Sequence, residues 1–212
     1  MTGAPELARF LARRGIRDQR VLRAIGSVPR ELFVPEELRG HAYADQALPI
    51  GHEQTISQPY MVAAMLEALG LDGGRALDVG TGSGYQAAVL AELADEVVTI
   101  ERVPELAERA RETLARAGYG TVDVRVGDGT LGVPDRAPYD GIVVAAAAPA
   151  VPEPLYEQLA EGGRLVVPVG TVRDQWLEVV ERGLEGPEGY RSVPCRFVPL
   201  LGSEGFDDRR GG

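Results

Sequence analysis

The sequence predicts an α/β fold with a doubly wound, mostly parallel sheet, preceded by N-terminal helices and followed by an antiparallel strand pair. Residues 77–85 read LDVGTGSGY, so an apolar strand enters a turn with glycine at every second position, and a helix-forming stretch follows. This is the first strand–turn–helix unit of a nucleotide-binding sheet. Residues 142–148 are continuously apolar, which is typical of a central parallel strand buried on both faces.

Short amphipathic helices are expected before the sheet. Apolar side chains recur on one helical face over residues 5–14, and Asp18 is placed to cap a second helix. A third helix is predicted to begin at Pro59, whose fixed φ suits a first helical turn, and to end near Gly70.

The predicted sheet begins at Ala76. Residues 122–126 alternate between apolar and charged, so this strand is expected near a sheet edge. Two strand-like stretches joined by glycine and proline, 176–180 and 190–198, are predicted to pair antiparallel at the other edge. Further helices are expected over 86–93, 106–114 and 153–159, and the remaining strands over 97–100 and 165–167.

Length and composition predict one domain. The 212 residues suffice for a single core. We divide the predicted domain into N-terminal helices with a substrate and active-site segment (1–70), a cofactor-binding sheet (71–202) and a frayed tail (203–212). The sequence lacks the long apolar run that would predict a membrane span, and it lacks the basic and then apolar leader that would predict secretion. The single cysteine, Cys195, excludes an internal disulfide, so a cytoplasmic protein is expected.

The charge pattern disfavours several classes of function. The net charge is −10, which argues against charge-driven binding to nucleic acid. The chain contains no lysine, which removes both a phosphate-loop lysine and Schiff-base chemistry. His41 and His52 have no matching ligands at a metal-binding spacing, so no metal site is expected.

The glycine turn departs from a dinucleotide fingerprint. Gly80, Gly82 and Gly84 form G-x-G-x-G, and Tyr85 takes the place of the last fingerprint glycine. Asp78 ends the strand before the turn, where its carboxylate would repel a pyrophosphate but attract an amino group or a sulfonium.

Two more carboxylates are expected at neighbouring strand ends, where parallel sheets bind ligands. Glu101 lies roughly 20 residues beyond the turn, the offset at which an acid can accept both ribose hydroxyls. Asp128 could accept from an exocyclic adenine amine. An amino acid, a ribose and an adenine together describe S-adenosylmethionine. The alternative is that Glu101 and Asp128 are solvated loop acids.

Small polar side chains precede the third helix. Thr55 and Ser57 flank Ile56, so in an extended segment both would point to one side. Ser57 stands two residues before Pro59, and from spacing alone its favoured interpretation is a helix N-cap.

These motifs resemble a known family. Residues 77–85 resemble the first motif of Rossmann-type S-adenosylmethionine-dependent methyltransferases, and LPIG (48–51) with QTISQPYM (54–61) resembles the protein-L-isoaspartate O-methyltransferase family. Further matching segments follow in the family's order: VPRE (28–31), GDG (127–129), PVG (168–170) and RFVPL (196–200).

The resemblance implies a Rossmann-like methyltransferase that methylates the free carboxylate of L-isoaspartyl residues in damaged proteins and releases S-adenosyl-L-homocysteine. The ester then collapses to a succinimide, which hydrolyses partly to normal aspartyl. Ser57 is implied as the catalytic residue. The peptide is implied to lie along Ala47, Leu48, Pro49 and Ile50. The cofactor contacts are predicted at Thr55, Ile56, Ser57, Asp78, Gly80, Thr81, Gly82, Gly84, Glu101, Asp128 and Gly129.

Other functions remain as alternatives. The enzyme could methylate RNA, a small molecule or one dedicated peptide aspartate. It could instead be a cofactor-binding protein without catalysis, or a nicotinamide-dependent oxidoreductase, which Asp78 and Tyr85 disfavour. We expect a monomer that acts on isoaspartyl proteins and peptides, without a nucleic-acid or membrane partner.

Overall fold

The structure is a computed structural model and describes residues 1, 3–171 and 173–207. Its helices are α1 (Ala4–Arg13), α2 (Gln19–Ser27), α3 (Pro59–Leu69), α4 (Tyr85–Leu90), α5 (Pro104–Arg116) and α6 (Glu153–Glu157). Its strands are β1 (Leu48–Gly51), β2 (Gln54–Ile56), β3 (Arg75–Val79), β4 (Glu96–Glu101), β5 (Asp123–Val126), β6 (Tyr139–Val144), β7 (Leu159–Gly170), β8 (Gln175–Gly183) and β9 (Gly186–Cys195). Within the described residues, none of these helices has the length and apolar character that a bilayer span requires.

In the described part of the chain, seven strands form one sheet in the order β5-β4-β3-β6-β7-β8-β9. The pairs from β5 to β7 are parallel, and β8 and β9 add antiparallel strands. This confirms the predicted fold class, the edge position of β5 and the antiparallel pair at the other edge. The strand order reverses between β3 and β6, and doubly wound sheets bind ligands outside the carboxyl ends of such strands.

The N-terminal helices form as predicted. The Asp18 side chain accepts a hydrogen bond from the Arg20 N–H and so caps α2. Helix α3 begins at Pro59 and ends at Leu69, and it is followed by Gly70, whose φ of 65° is the left-handed conformation that glycine tolerates. One buried apolar cluster extends from Ala4 in α1 to Val179 in β8. This continuous core supports our proposal that the chain is one domain.

Tertiary packing moves two predicted boundaries. Helix α4 ends at Leu90, short of the predicted residue 93. Helix α6 ends at Glu157 because Leu159 already belongs to β7, in which it pairs with Tyr139 of β6. Strand β7 therefore begins six residues before the predicted strand over 165–167.

The sequence pattern does not predict the antiparallel hairpin of β1 and β2. Its turn residues, His52 and Glu53, have φ values of 51° and 58°. Two-residue hairpin turns of type I′ need a positive φ at both positions and usually carry Asn-Gly or Asp-Gly there. The local signal for a hairpin is therefore missing from this stretch.

The predicted frayed tail begins as an ordered segment. The Ser203 N–H donates to Asp128, and the Phe206 N–H donates to the Leu200 carbonyl at 2.8 Å. The contact with Asp128, in the loop after β5, and the contact with Leu200 therefore hold the start of the tail in place. The rest of the predicted tail, from residue 208, lies outside the described residues.

Candidate active site

A cavity of about 660 Å³ opens beyond the carboxyl ends of β3 and β6. It has three walls. The first is formed by Ala47 and residues 54–58, and the second by the glycine turn with Glu101. The third wall is the segment 194–201, which includes the last two residues of β9 and the chain beyond it.

The glycine turn, residues 80–84, forms most of the second wall. Gly80, Gly82 and Gly84 have φ values of 95°, 52° and 86°, which other residues rarely adopt. The Gly80 and Thr81 N–H groups both donate to the Ile100 carbonyl, which joins the turn to β4. Gly80, Thr81 and Gly82 line the cavity.

Gly84 lies behind the turn rather than in the cavity wall. A Cβ atom there would come within 3.2 Å of Leu114 Cγ in α5. This glycine therefore lets α4 and α5 approach closely, and its predicted cofactor contact would be indirect.

Asp78 is buried beneath the turn and does not line the cavity. Its carboxylate accepts hydrogen bonds from Gln86 Nε2 at 2.8 Å and from Thr99 Oγ1 at 2.9 Å. Burial raises the pKa of Asp78 to about 7, although both hydrogen bonds favour the charged form. Gln86 does line the cavity, so Asp78 is positioned to act on a ligand through Gln86 and through its charge.

We expect Asp78→Asn to change the pH dependence of stability. The folded pKa of Asp78 is raised, so its stabilising contribution is complete below about pH 4 and is lost as the pH rises to about 7. The free energy of unfolding of the variant relative to the wild type should therefore increase over this range, by on the order of 3 kcal/mol.

Denaturant unfolding at pH 4.5 and 7.5 measures this difference. Asparagine fits the site because its Nδ2 can donate to Thr99 Oγ1, whose own hydroxyl can turn to Thr81 Oγ1 at 2.6 Å. Asp72→Asn is the control, since Asp72 is exposed. Equal pH slopes for wild type and Asp78→Asn would contradict the prediction.

The two remaining predicted acids are placed differently. Glu101 lines the cavity, and its carboxylate accepts the N–H groups of Gly82 at 2.9 Å and Val103 at 3.0 Å. It thus supports the glycine turn, and a carboxylate has further lone pairs with which to accept hydroxyl groups.

Asp128 does not line the cavity. Its carboxylate accepts from the Thr130 N–H at 2.9 Å, from Thr130 Oγ1 at 2.7 Å and from the Ser203 N–H at 2.8 Å. Burial raises the pKa of Asp128, but these hydrogen bonds outweigh it, and the net pKa lies below its ordinary value. The adjacent Gly129 does line the cavity, and a Cβ atom there would meet Val79 Cγ1 at 2.7 Å.

The structure separates Ser57 from helix capping. Asp45 Oδ1 accepts the Tyr60 N–H at 2.9 Å, and Asp45 Oδ2 accepts from Gln58 Nε2 at 3.1 Å, so a distant loop caps α3. The N-cap residue is Gln58, so the N-cap interpretation of Ser57 is wrong. Ser57 is half-buried in the cavity wall, and its Oγ makes no hydrogen bond within the described ranges.

The predicted peptide segment lies only partly at the cavity. Ala47 lines it, whereas Leu48 and Ile50 point into the core and are each 5% exposed. Pro49 is exposed outside the cavity lining. Thr55 and Ile56 both line the cavity beside Ser57.

Sequence reasoning assigned no role to the third wall. The Ala147 N–H donates to the Val198 carbonyl at 2.8 Å, and the Leu200 N–H donates to the Ala147 carbonyl at 2.7 Å. These bonds hold the segment beside the loop after β6. The RFVPL match was the available signal, but it did not show that this segment meets the glycine turn. The described residues hold no group of three or more His, Cys, Asp or Glu side chains suited to a metal ion.

Comparisons with known proteins identify relatives across nearly the whole chain. The family model for protein-L-isoaspartate(D-aspartate) O-methyltransferase matches residues 4–205. Protein-L-isoaspartate O-methyltransferase 1 of Syntrophobacter fumaroxidans (strain DSM 10017 / MPOB) is 56% identical over 198 residues, 93% of this chain and 92% of that protein. Protein-L-isoaspartate O-methyltransferase 2 of Marinobacter nauticus (strain ATCC 700491 / DSM 11845 / VT8) is 59% identical over 199 residues, 92% of this chain and 91% of that protein.

Solved structures agree with this comparison. A protein-L-isoaspartate O-methyltransferase superimposes with a TM-score of 0.83 at 32% identity, covering 94% of this chain and 66% of that one. A Plasmodium falciparum protein, described as a protein-L-isoaspartate O-methyltransferase beta-aspartate methyltransferase (PCMT) in complex with S-adenosyl-L-homocysteine, superimposes with a TM-score of 0.83 at 28% identity. The match covers 95% of this chain and 99% of that one.

Proposed function

From the premise that this chain belongs to the protein-L-isoaspartate(D-aspartate) O-methyltransferase family, we propose how its cavity divides between cofactor and peptide. The enzyme transfers a methyl group from S-adenosylmethionine to the free carboxylate of L-isoaspartyl residues, which starts repair through a succinimide. The cofactor lies on the glycine turn, and the isoaspartyl peptide enters between Ser57 and the third wall. The observation that carries this proposal is that one cavity joins Glu101, the glycine turn and Ser57.

The residues on the cofactor side fit S-adenosylmethionine. Gly80 lines the cavity with a φ of 95° and carries no side chain, so a ligand can approach its backbone closely. Glu101 keeps acceptor capacity for the ribose hydroxyls while it holds the turn. Gly80, Thr81, Gly82, Glu101 and Gly129 are the direct contacts in this proposal. Asp78, Gly84 and Asp128 support these contacts from behind.

Methyl transfer to a carboxylate requires the protein to orient the reacting groups, and it does not require a general base. Bound S-adenosylmethionine supplies an electrophilic methyl group on a sulfonium. The substrate carboxylate is already ionised near neutral pH, so the site must exclude water and hold the oxygen in line with the methyl carbon, roughly 3–3.5 Å away. The Ser57 hydroxyl can donate one hydrogen bond that orients the carboxylate. A strong ion pair would slow the reaction, because both reactant charges disappear.

Methyl transfer to matched peptides tests the function. We expect labelled methyl to pass to an isoaspartyl peptide but not to its aspartyl twin. The product is an ester, so mild alkali should release the label as methanol, whereas a methylated amine or aromatic ring would retain it. Several unrelated isoaspartyl peptides should be accepted if the role is general repair. Transfer to RNA alone, or to the aspartyl twin alone, would overturn the assignment.

We further propose that the enzyme acts in the cytoplasm as a monomer, without a nucleic-acid or membrane partner. The net charge of −10 supports the absence of a nucleic-acid partner, since the phosphates of a nucleic acid repel an acidic protein. Cys195 is only partly buried, and burial raises the pKa of its thiol to about 11, which keeps it in the unreactive thiol form.

A further inference from the structure

Arg30 is a buried residue that lies outside the cavity lining and so cannot touch the reacting groups directly. It begins a short 3₁₀ turn, Arg30–Phe33, and its side chain is 0% exposed. No ion pair involves Arg30 in the part of the chain that the structure describes. A buried guanidinium without a carboxylate partner is costly, and such departures concentrate at functional sites.

The contacts of Arg30 connect the two sides of the cavity. Its Nη2 donates to the Ser57 carbonyl at 2.8 Å, and its Nε donates to the Ala42 carbonyl at 2.8 Å. The guanidinium carbon lies 4.6 Å from the ring centroid of Tyr85. Tyr85 follows the glycine turn directly and lines the cavity, so one side chain touches both the Ser57 segment and the cofactor wall.

We propose that Arg30 is a positioning residue for methyl transfer, which holds the Ser57 segment in place against the glycine turn. This inference rests on the proposed function. It goes beyond that function because Arg30 does not line the cavity and acts only through the Ser57 backbone and the Tyr85 ring.

The geometry requires an arginine. The guanidinium is a planar fork that can donate to two carbonyls while its face lies on an aromatic ring, whereas a lysine ammonium is a point donor. Burial lowers the pKa of Arg30, but its ordinary pKa is so high that the group stays charged. Tyr85 is itself held by an edge-to-face contact with Phe33, whose ring centroid is 5.7 Å away.

Arg30→Lys tests this role by separating turnover from binding. We expect kcat for an isoaspartyl peptide to fall about tenfold, because small displacements of reacting groups slow in-line transfer strongly. Cofactor affinity, measured by calorimetry, should change less than about threefold, since the glycine turn keeps its own hydrogen bonds to β4. Arg182→Lys is the matched control, because Arg182 Nη1 also donates to two carbonyls, those of Glu157 and Leu159, away from the cavity.

A second variant separates positioning from stability. Arg30→Met removes a costly buried charge but also takes the donor away from the Ala42 and Ser57 carbonyls, so its two effects on stability oppose each other. We expect this variant to fold, to bind the cofactor and still to show the fall in kcat. Leu11→Ala is the opposite control, since it removes a buried side chain remote from the cavity and should lower thermal stability without lowering kcat at moderate temperature.

The outcomes are distinct. Wild-type kcat in both Arg30 variants, or a fall in kcat that only parallels their loss of stability as in Leu11→Ala, would overturn the positioning role. A wild-type enzyme that does not methylate the isoaspartyl peptide would overturn the proposed function, and the positioning role with it. An active wild type with unaffected Arg30 variants overturns the positioning role alone.

Discussion

Glu101→Ala is expected to weaken S-adenosylmethionine binding about 100-fold. The carboxylate is predicted to accept the ribose hydroxyls, and hydrogen bonds to a charged group contribute about 1.5–3 kcal/mol each. The same carboxylate accepts the Gly82 and Val103 N–H groups, so its removal also loosens the glycine turn. Calorimetric titration of the cofactor measures the change.

The control for this variant is Glu105→Ala, which removes an exposed glutamate from the first turn of α5. It should leave cofactor affinity unchanged. Titration with adenosine alone gives a second comparison, since the ribose contact is shared and the loss should be of similar size. Unchanged affinity in Glu101→Ala would rule out Glu101 as the ribose ligand.

Ser57→Ala is expected to lower kcat by up to about 100-fold while cofactor affinity changes little. The Oγ is free to donate within the cavity, and a misaligned carboxylate loses the in-line geometry that methyl transfer requires. Asp45 rather than Ser57 caps α3, so the substitution should not destabilise the helix. Steady-state kinetics on an isoaspartyl peptide and calorimetry on the cofactor measure the two quantities separately.

Ser57→Thr retains a hydroxyl and should recover part of the lost turnover. Ser27→Ala is a matched control, because Ser27 is exposed on α2 and its Oγ donates only to the Arg23 carbonyl. Equal losses of turnover and cofactor affinity in Ser57→Ala would indicate a structural role and would contradict the catalytic assignment.

Much of the fold could be predicted because its elements depend on residues that are close together in the sequence. The alternation over 122–126 predicted an edge strand because one face of an edge strand meets solvent, and β5 lies at the edge. Asp18 predicted the start of α2, since a cap depends on residues two or three positions away. The β1–β2 hairpin was missed because His52 and Glu53 occupy turn positions that usually carry Asn or Gly.

Individual site residues were harder to assign. Glu101 lines the cavity, as the sequence predicted. Asp78 and Asp128 lie outside the cavity lining, where they accept hydrogen bonds from protein groups that include Gln86 and Thr130. Sequence shows that a carboxylate ends a strand but not which donors the fold brings to it. Their direct or indirect action on the cofactor stays a prediction, since the Asp78→Asn measurements test only the ionisation of the buried Asp78 carboxyl.

The sequence by itself determined the α/β class, the cofactor class and the family, because periodicity, glycine spacing and motif order are properties of neighbouring residues. Only the tertiary structure decided that Asp45 caps α3, that segment 194–201 closes the cavity and that Arg30 joins Ser57 to Tyr85. These contacts connect residues far apart in the chain. They exist only after the sheet and helices have packed, and no local pattern records which distant group will satisfy a buried donor or acceptor.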